Sequence, residues 1–307
     1  MSIPMNNILR AATRTEQQPL NILWLPYDGV FESTLLPHLR HNFYIGLDSS
    51  PFPLETKWLK SNNIVCLPRY NSFALGINFD AIVCNYSATQ HEKAINLSHS
   101  LHIPLITINH TTPQSSIGKY NTHMRVSTHH EVNKSWGVTD QIIGYNISEC
   151  FPNEDRENKI IIVGKFLEPD YNQIRQLQNI SPIPIEIIGD NKGLSDYMEW
   201  SSVLEKMSNA KYYLNISKID ALPILMLQAM KAGCYIITNK SPFTKGLFTD
   251  KTGKYFGNIN NLDDIFNNLN TATPSNISHT HNPINEGCVS QWGDYLDNIY
   301  NITYIRK

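Results

Sequence analysis

Short apolar runs, each bounded by polar or helix-forming stretches, recur along the 307-residue chain. The first set is NILWLP (21–26), FYIGL (43–47), NIVCLP (63–68), DAIVCN (80–85), PLITIN (104–109) and MRVSTH (124–129). A second set follows with KIIIVGKF (159–166), IEIIGD (185–190), YYLNIS (212–217) and YIITN (235–239). Most are continuous stretches of Val, Ile and Leu rather than alternations, the pattern of strands covered on both faces in a parallel sheet. Between them, residues 88–102 and 196–210 carry apolar side chains at three- and four-residue spacing and predict amphipathic helices. Strand alternating with helix predicts an α/β fold with right-handed crossovers.

The strand series restarts near residue 159, just after the polar, charged, proline-containing stretch NISECFPNEDRENK (146–159), which reads as a linker. Two doubly wound, Rossmann-like domains are therefore expected, residues 1–150 and 151–288, followed by a helix-like tail over 289–307. The tail places Trp292, Tyr295, Ile299 and Tyr300 on one apolar face, and the Ser/Thr/Asn/Pro-rich segment 270–287 before it reads as a loop. Two such domains facing a central cleft would bring the carboxyl ends of both sheets onto it, where ligands of these folds bind. Fold alone does not fix function.

Composition narrows the partners. With 41% hydrophobic and 17% charged residues the chain has the make-up of a soluble globular protein. A net charge of -2, with no long Lys/Arg run, gives no general attraction to phosphate backbones. Cys66, Cys84, Cys150, Cys234 and Cys288 are scattered without C-x2-C pairing, so neither a zinc site nor a disulfide framework is expected. His129 and His130 have no third ligand at metal spacing and read as surface residues. The N-terminus lacks a signal-peptide core, and no apolar run approaches the ~18 residues of a membrane span. The expectation is a reduced, cytoplasmic protein without a transmembrane segment.

The most informative stretch is NISKIDALPILMLQAMKAGCYIITN, residues 215–239. Ser217 closes a strand, Asp220 falls at or near a helix N-cap, and Pro223 suits a first helical turn. A helix over Ile224 to Ala232 ends at Gly233, and the next strand begins at Tyr235. Free N–H groups at Ala221, Leu222 and Ile224, with the positive helix end behind them, form a ready site for a diphosphate. Gln228 lies two turns on, inside an apolar helix, and needs a partner: ribose hydroxyls, or a nearby backbone group.

The pattern S-x-x-D-A-L-P-x-x-x-L-Q-A-M-x-A-G-C-Y-I-I resembles the signature of retaining GT-B glycosyltransferases, in particular family 4. It departs at both acids of that signature, where Asp220 and Gln228 stand for two Glu residues. IIIVGKF resembles the family's strand ending in Gly-Arg-Leu and puts Lys165 at a diphosphate-binding Arg, while the family's second cation is missing because Asp170 falls there. IEIIGDNKG, with Gly189, resembles the strand whose end lies beside the nucleotide base, and IPLITINHT resembles the strand ending in a cleft His, here His110. PYDGVFES resembles the glycine loop near the acceptor, with only Gly29 present, and SQWGDYLDNIY resembles the C-terminal helix that crosses back to the N-terminal domain.

The resemblance implies a hexosyl- or pentosyltransferase that moves a sugar from a nucleotide diphosphate sugar, with UDP-sugar as the expected donor, to an acceptor hydroxyl with retention. Catalysis would fall to His110, Lys165 and Asp220; the donor would be held by Gly29, Gly189, Ser217, Ala221, Leu222, Pro223, Ile224 and Gln228. No metal and no further cofactor are implied, and the chain has no D-x-D triplet. The acceptor is left open among a glycan, a lipid, a protein and a modified DNA base of the phage type. A catalytically inactive nucleotide-sugar binding protein is the other alternative. Residue by residue, Asp220 also reads as a plain N-cap, Gln228 as a satisfied core amide, Lys165 as a solvated charge and His110 as a satisfied core histidine.

Overall fold

The computed structural model of the protein describes residues 18–26, 29–46, 60–67, 77–85, 88–110, 124–148, 150–164, 168–189, 198–216, 224–241, 244–245, 247, 252–256, 266 and 287–299. Its strands are β1 (Asn21–Leu25), β2 (Asn42–Gly46), β3 (Ile64–Leu67), β4 (Ala81–Asn85), β5 (Leu105–Asn109), β6 (Met124–Ser127), β7 (Gln141–Ile142), β8 (Glu157–Val163), β9 (Ile185–Ile188), β10 (Ala210–Asn215), β11 (Tyr235–Asn239) and β12 (Gly253–Phe256). Its helices are α1 (Val30–Leu35), α2 (Ala88–Leu101), α3 (His130–Trp136), α4 (Glu168–Ile180), α5 (Trp200–Asn209), α6 (Ile224–Lys231) and α7 (Cys288–Asp297). The chain divides into two compact units, residues 1–146 with 284–307, and residues 147–283.

The first unit is built on one sheet in the order β3-β2-β1-β4-β5-β6-β7, with every pairing parallel. Strand order reverses between β1 and β4, the point at which such sheets open a crevice at their carboxyl edge. Alternation along β1 sends its side chains to two different cores. Leu23 and Leu25 join Ile82, Cys84, Ala94 and Leu97 on the face covered by α2. Trp24 turns the other way and meets Phe31, Phe43 and Trp292 at ring-centroid distances of 6.3, 5.8 and 6.0 Å. Helix α7 thus completes the core of the first unit, with Trp292 and Leu296 fully buried. Asp297 at its end pairs with Arg40 Nη2 at 2.6 Å, and His41 Nε2 lies 3.2 Å from the same carboxylate oxygen.

The second unit holds a parallel sheet in the order β12-β11-β10-β8-β9, which reverses between β8 and β10. Ile160, Ile162, Tyr212, Leu214, Tyr235 and Ile237 from the sheet pack with Ile174 and Leu177 of α4. Helix α6 joins β10 to β11 and buries Met226, Leu227 and Ala229 completely. It stops at Gly233, where φ is +83° and an added Cβ would come within 2.7 Å of Pro152 Cβ, so only glycine fits.

Each run predicted as a strand forms one. The sequence pattern passes over α1, α3, α4, β7 and β12. Helix α4 shows why: among its described side chains only Ile174 and Leu177 are buried, too few to mark an apolar stripe. β7 is two exposed residues long. The tail helix is described to Asp297, and the predicted loop at 270–286 with the last residues from Tyr300 lies outside the described residues. Among the described residues no helix is long and apolar enough to cross a membrane.

Trp292→Ala removes the ring that fills the space over Trp24 and Phe31. A loss of about 3–5 kcal/mol in urea unfolding is expected. A loss under about 1 kcal/mol would show that α7 is dispensable to the first unit.

Candidate functional site

In the first unit the candidate residues gather where strand order reverses. Gly29 is the N-cap of α1, and its N–H donates to Glu32 Oε2 at 2.9 Å, a capping-box arrangement within one turn. The other oxygen of Glu32 accepts from Trp24 Nε1 at 3.3 Å and from Asn85 Nδ2 at 3.0 Å. Asn85, at the end of β4, also donates to Leu25 O at 3.1 Å. His110 follows β5, with Nε2 at 2.5 Å from Asn85 Oδ1 and Nδ1 at 3.2 Å from the Tyr145 hydroxyl. Tyr145 Oη lies 3.3 Å from Thr128 Oγ1. Glu32, Asn85, His110, Tyr145 and Thr128 are all buried.

The structure therefore brings His110 and Gly29 into one network, and it occupies their polar atoms with protein. Both His110 ring nitrogens have side-chain partners, which is the satisfied-histidine arrangement left open by the sequence. Burial lowers the His110 pKa from 6.5 to about 3, so the ring is neutral at ordinary pH. The sequence reading had no place for Glu32, Asn85, Thr128 or Tyr145. The one local clue was G-x-x-E at 29–32, a capping box with glycine in the cap.

One histidine expectation is corrected. His129 is buried, not on the surface, because its Nδ1 accepts the Glu131 N–H at 3.2 Å and caps α3 at the end of β6. Burial first, then the neighbouring His130, holds its pKa down to about 4, with Glu131 pulling the other way. His130 is exposed as expected. All five cysteines are free, and burial raises Cys84, Cys234 and Cys288 to about 12, which leaves those thiols protonated.

In the second unit, two glycines end β8, which flanks the reversal, and its outer neighbour β9. Gly164 after β8 and Gly189 after β9 have φ of 152° and 155°, and Gly164 N–H donates to Ile188 O at 3.0 Å. Side-chain-free backbone at a strand end lets a ligand approach closely. Across the sheet, Asn215 at the end of β10 donates to Thr238 Oγ1 at 3.1 Å. Ile224 opens α6 with its side chain buried. Lys165, Ser217, Asp220, Ala221, Leu222 and Pro223 lie outside the described residues.

Gln228 takes the second of its two anticipated partners. Its Oε1 accepts the Ser148 N–H at 3.0 Å, and Nε2 donates to Ser148 O at 3.0 Å and Cys150 Sγ at 3.0 Å. Trp200 Nε1 donates to Ser148 Oγ at 3.1 Å. The amide is 1% exposed and bonded on both atoms, so Gln228 anchors the chain at Ser148. Ile147 and Cys150 are also buried, so this part of the expected linker belongs to the second unit's core.

No protein-family model matches the sequence, and no curated protein matches it. Solved structures do resemble it in fold. CalG4, the calicheamicin glycosyltransferase, is 9% identical with a TM-score of 0.55, covering 94% of this chain and 100% of that one. Sucrose-phosphate synthase from Thermosynechococcus elongatus is 10% identical with a TM-score of 0.61, covering 92% and 100%. The UDP-GlcNAc 2-epimerase from Neisseria meningitidis, solved with UDP-GlcNAc, is 10% identical with a TM-score of 0.57, covering 90% and 99%. Identities this low carry the fold alone: the chain has the Rossmann-like GT-B fold.

Two outcomes follow from these bonds. Because His110 is held at about 3 when folded and 6.5 is its ordinary value, the unfolded chain takes up a proton below 6.5 that the folded chain refuses. His110's contribution is full above that pH and is lost as pH falls toward 3, at up to about 1.4 kcal/mol per pH unit. Urea midpoints measured down the pH scale should fall more steeply for wild type than for His110→Gln. Equal slopes would show that His110 does not titrate this way.

Gln228→Glu replaces the donor to Ser148 O by an acceptor and should cost about 1–3 kcal/mol of stability. UDP affinity in calorimetry should not rise. Tighter UDP binding with unchanged stability would return this position to the ribose.

Proposed function

We propose that the protein is a retaining glycosyltransferase of the family 4 type that moves a sugar from a nucleotide diphosphate donor, a UDP-sugar, to an acceptor hydroxyl without a metal. The observation that carries this is the order of elements at the second sheet's reversal. β8 runs into Gly164 and Lys165, while β10 leads through Ser217 and Asp220 to Pro223 into α6. A diphosphate at that edge would receive the Lys165 charge and the N–H groups of Ala221, Leu222 and Ile224. Developing negative charge on the departing diphosphate is what such donors stabilise. On this reading Asp220 would accept from sugar hydroxyls, Ser217 would donate to them, and the backbone at Gly189 would face the base.

In the reaction the bond from the anomeric carbon to the diphosphate oxygen breaks and a bond to the acceptor oxygen forms on the same face. The acceptor's proton passes to the departing phosphate oxygen, so the products are the nucleoside diphosphate and the glycoside. No protein nucleophile is assigned. His110, neutral and bonded inward, shapes the acceptor-side unit with Gly29. The acceptor is a glycan, lipid, protein or modified DNA base. A second reading, a nucleotide-sugar binding protein without turnover, is favoured by one fact: with Gln228 held on Ser148, the ribose has one ligand fewer.

A panel of nucleotide sugars, assayed for donor hydrolysis and for transfer to those acceptor classes, tests the reading. Turnover that persists in EDTA is expected, and Lys165→Ala and Asp220→Ala, folded, should each lower it by about 100-fold or more. Wild-type activity in both variants would remove the site. UDP binding with no turnover on any donor would establish the second reading instead.

A further inference from the structure

We propose that Glu32 is a positioning residue for the first unit's part of the site: one carboxylate holds the Gly29 turn and, through the Asn85 amide, sets which nitrogen of His110 carries the proton. The geometry stands without the sugar-transfer reading; the consequence for turnover rests on it.

The argument is one of donors and acceptors. Glu32 is fully buried, and its oxygens face Gly29 N–H, Trp24 Nε1–H and Asn85 Nδ2. With a fixed N–H donor on each oxygen, from Gly29 and Trp24, Glu32 in its ionised form accepts on both and donates nothing. Asn85 must therefore present its amino group to Glu32, and the second amino hydrogen goes to Leu25 O at 3.1 Å. That orientation leaves Oδ1, an acceptor, 2.5 Å from His110 Nε2. Nε2 must carry the ring proton, and in a neutral ring Nδ1 is then an acceptor 3.2 Å from the Tyr145 hydroxyl, whose one hydrogen it shares with Thr128 Oγ1 at 3.3 Å. Phe31 from α1 packs edge-on against His110 with ring centroids 5.0 Å apart, so the turn that Glu32 caps also supports the ring.

Glutamine cannot replace Glu32 here. Its single oxygen and its amino group face three donors, so at least one N–H meets another. Either Asn85 turns over, offers its amino group to His110 and drives the ring proton to Nδ1, or the Gly29 N–H loses its acceptor. Both outcomes are visible without any substrate.

The experiment uses the full chain labelled with 15N-histidine, with long-range 1H–15N spectra recorded from about pH 5 to about pH 8 and the His110 signal assigned from its absence in His110→Gln. In wild type, His110 is expected with Nε2 protonated, Nδ1 bare and no titration across that range. In Glu32→Gln, either the proton moves to Nδ1 or the Gly29 amide exchanges at least about tenfold faster. With a donor in hand, kcat falls about 10- to 100-fold while KM for the donor stays within about twofold. A wild-type ring protonated on Nδ1, or titrating in the range, overturns the proposal even if Glu32→Gln does not fold. So does a folded Glu32→Gln whose ring signal, Gly29 exchange and kcat all match wild type. If wild type turns over no donor, the sugar-transfer reading falls, and the spectra still decide the role of Glu32.

Discussion

A parallel sheet covered on both faces is apolar along most of its strand interiors, and polar side chains concentrate at its edges; Thr107 in the middle of β5 is an exception. That constraint organises both units. Strand interiors such as Ile22 to Trp24, Ile82 to Val83, Ile160 to Ile162 and Ile236 to Ile237 are apolar and buried. Several of the buried polar residues stand at the carboxyl ends: Asn85 on β4, Asn109 and His110 on and after β5, Ser127 on β6, Asn215 on β10 and Thr238 on β11. Because all strands of a sheet run parallel, these ends share one edge in each unit, the edge at which sheets of this kind bind ligands beside the strand-order reversal.

An orphaned polar group at such an edge costs about 1–3 kcal/mol, so most of them are paired, with the Ser127 hydroxyl an exception. The two units meet this demand differently. The first closes its polar groups on one another, so that Glu32, Asn85, His110 and Tyr145 form a chain in which each orientation dictates the next. The second ends β8 and β9 in glycines, which bring backbone rather than side chains to the edge. One edge is internally bonded through side chains; the other presents glycine backbone at two strand ends.

The difference explains what could be read in the sequence. Strands with two buried faces announce themselves as runs, and α6 does so through its Asp, Pro and Gly punctuation. Helix α1 does not, because its Glu32 points into the core where an acid in a first turn is ordinarily read as a solvated cap partner. The network it starts is invisible locally: Glu32 and Asn85 are 53 residues apart, Asn85 and His110 are 25 apart, and His110 and Tyr145 are 35 apart. Spacing carries no signal over such distances, and only the fold brings them together. His129 was misread for a related reason. Adjacent histidines without a third ligand look like surface residues, yet a ring nitrogen can cap a helix as a carboxylate does.

The same logic bears on the one place where the chain departs most plainly from the signature it resembles. Gln228 faces both polar groups of a single residue, the N–H and the C=O of Ser148. A carboxylate can accept from the first but can only repel the second; an amide satisfies both. Glutamine is thus what this backbone requires at that seat, independent of any ligand. The absence of an acid there follows from how the chain at Ser148 is fastened to α6. It carries no information about Asp220 and Pro223, at the other end of the same sequence signature.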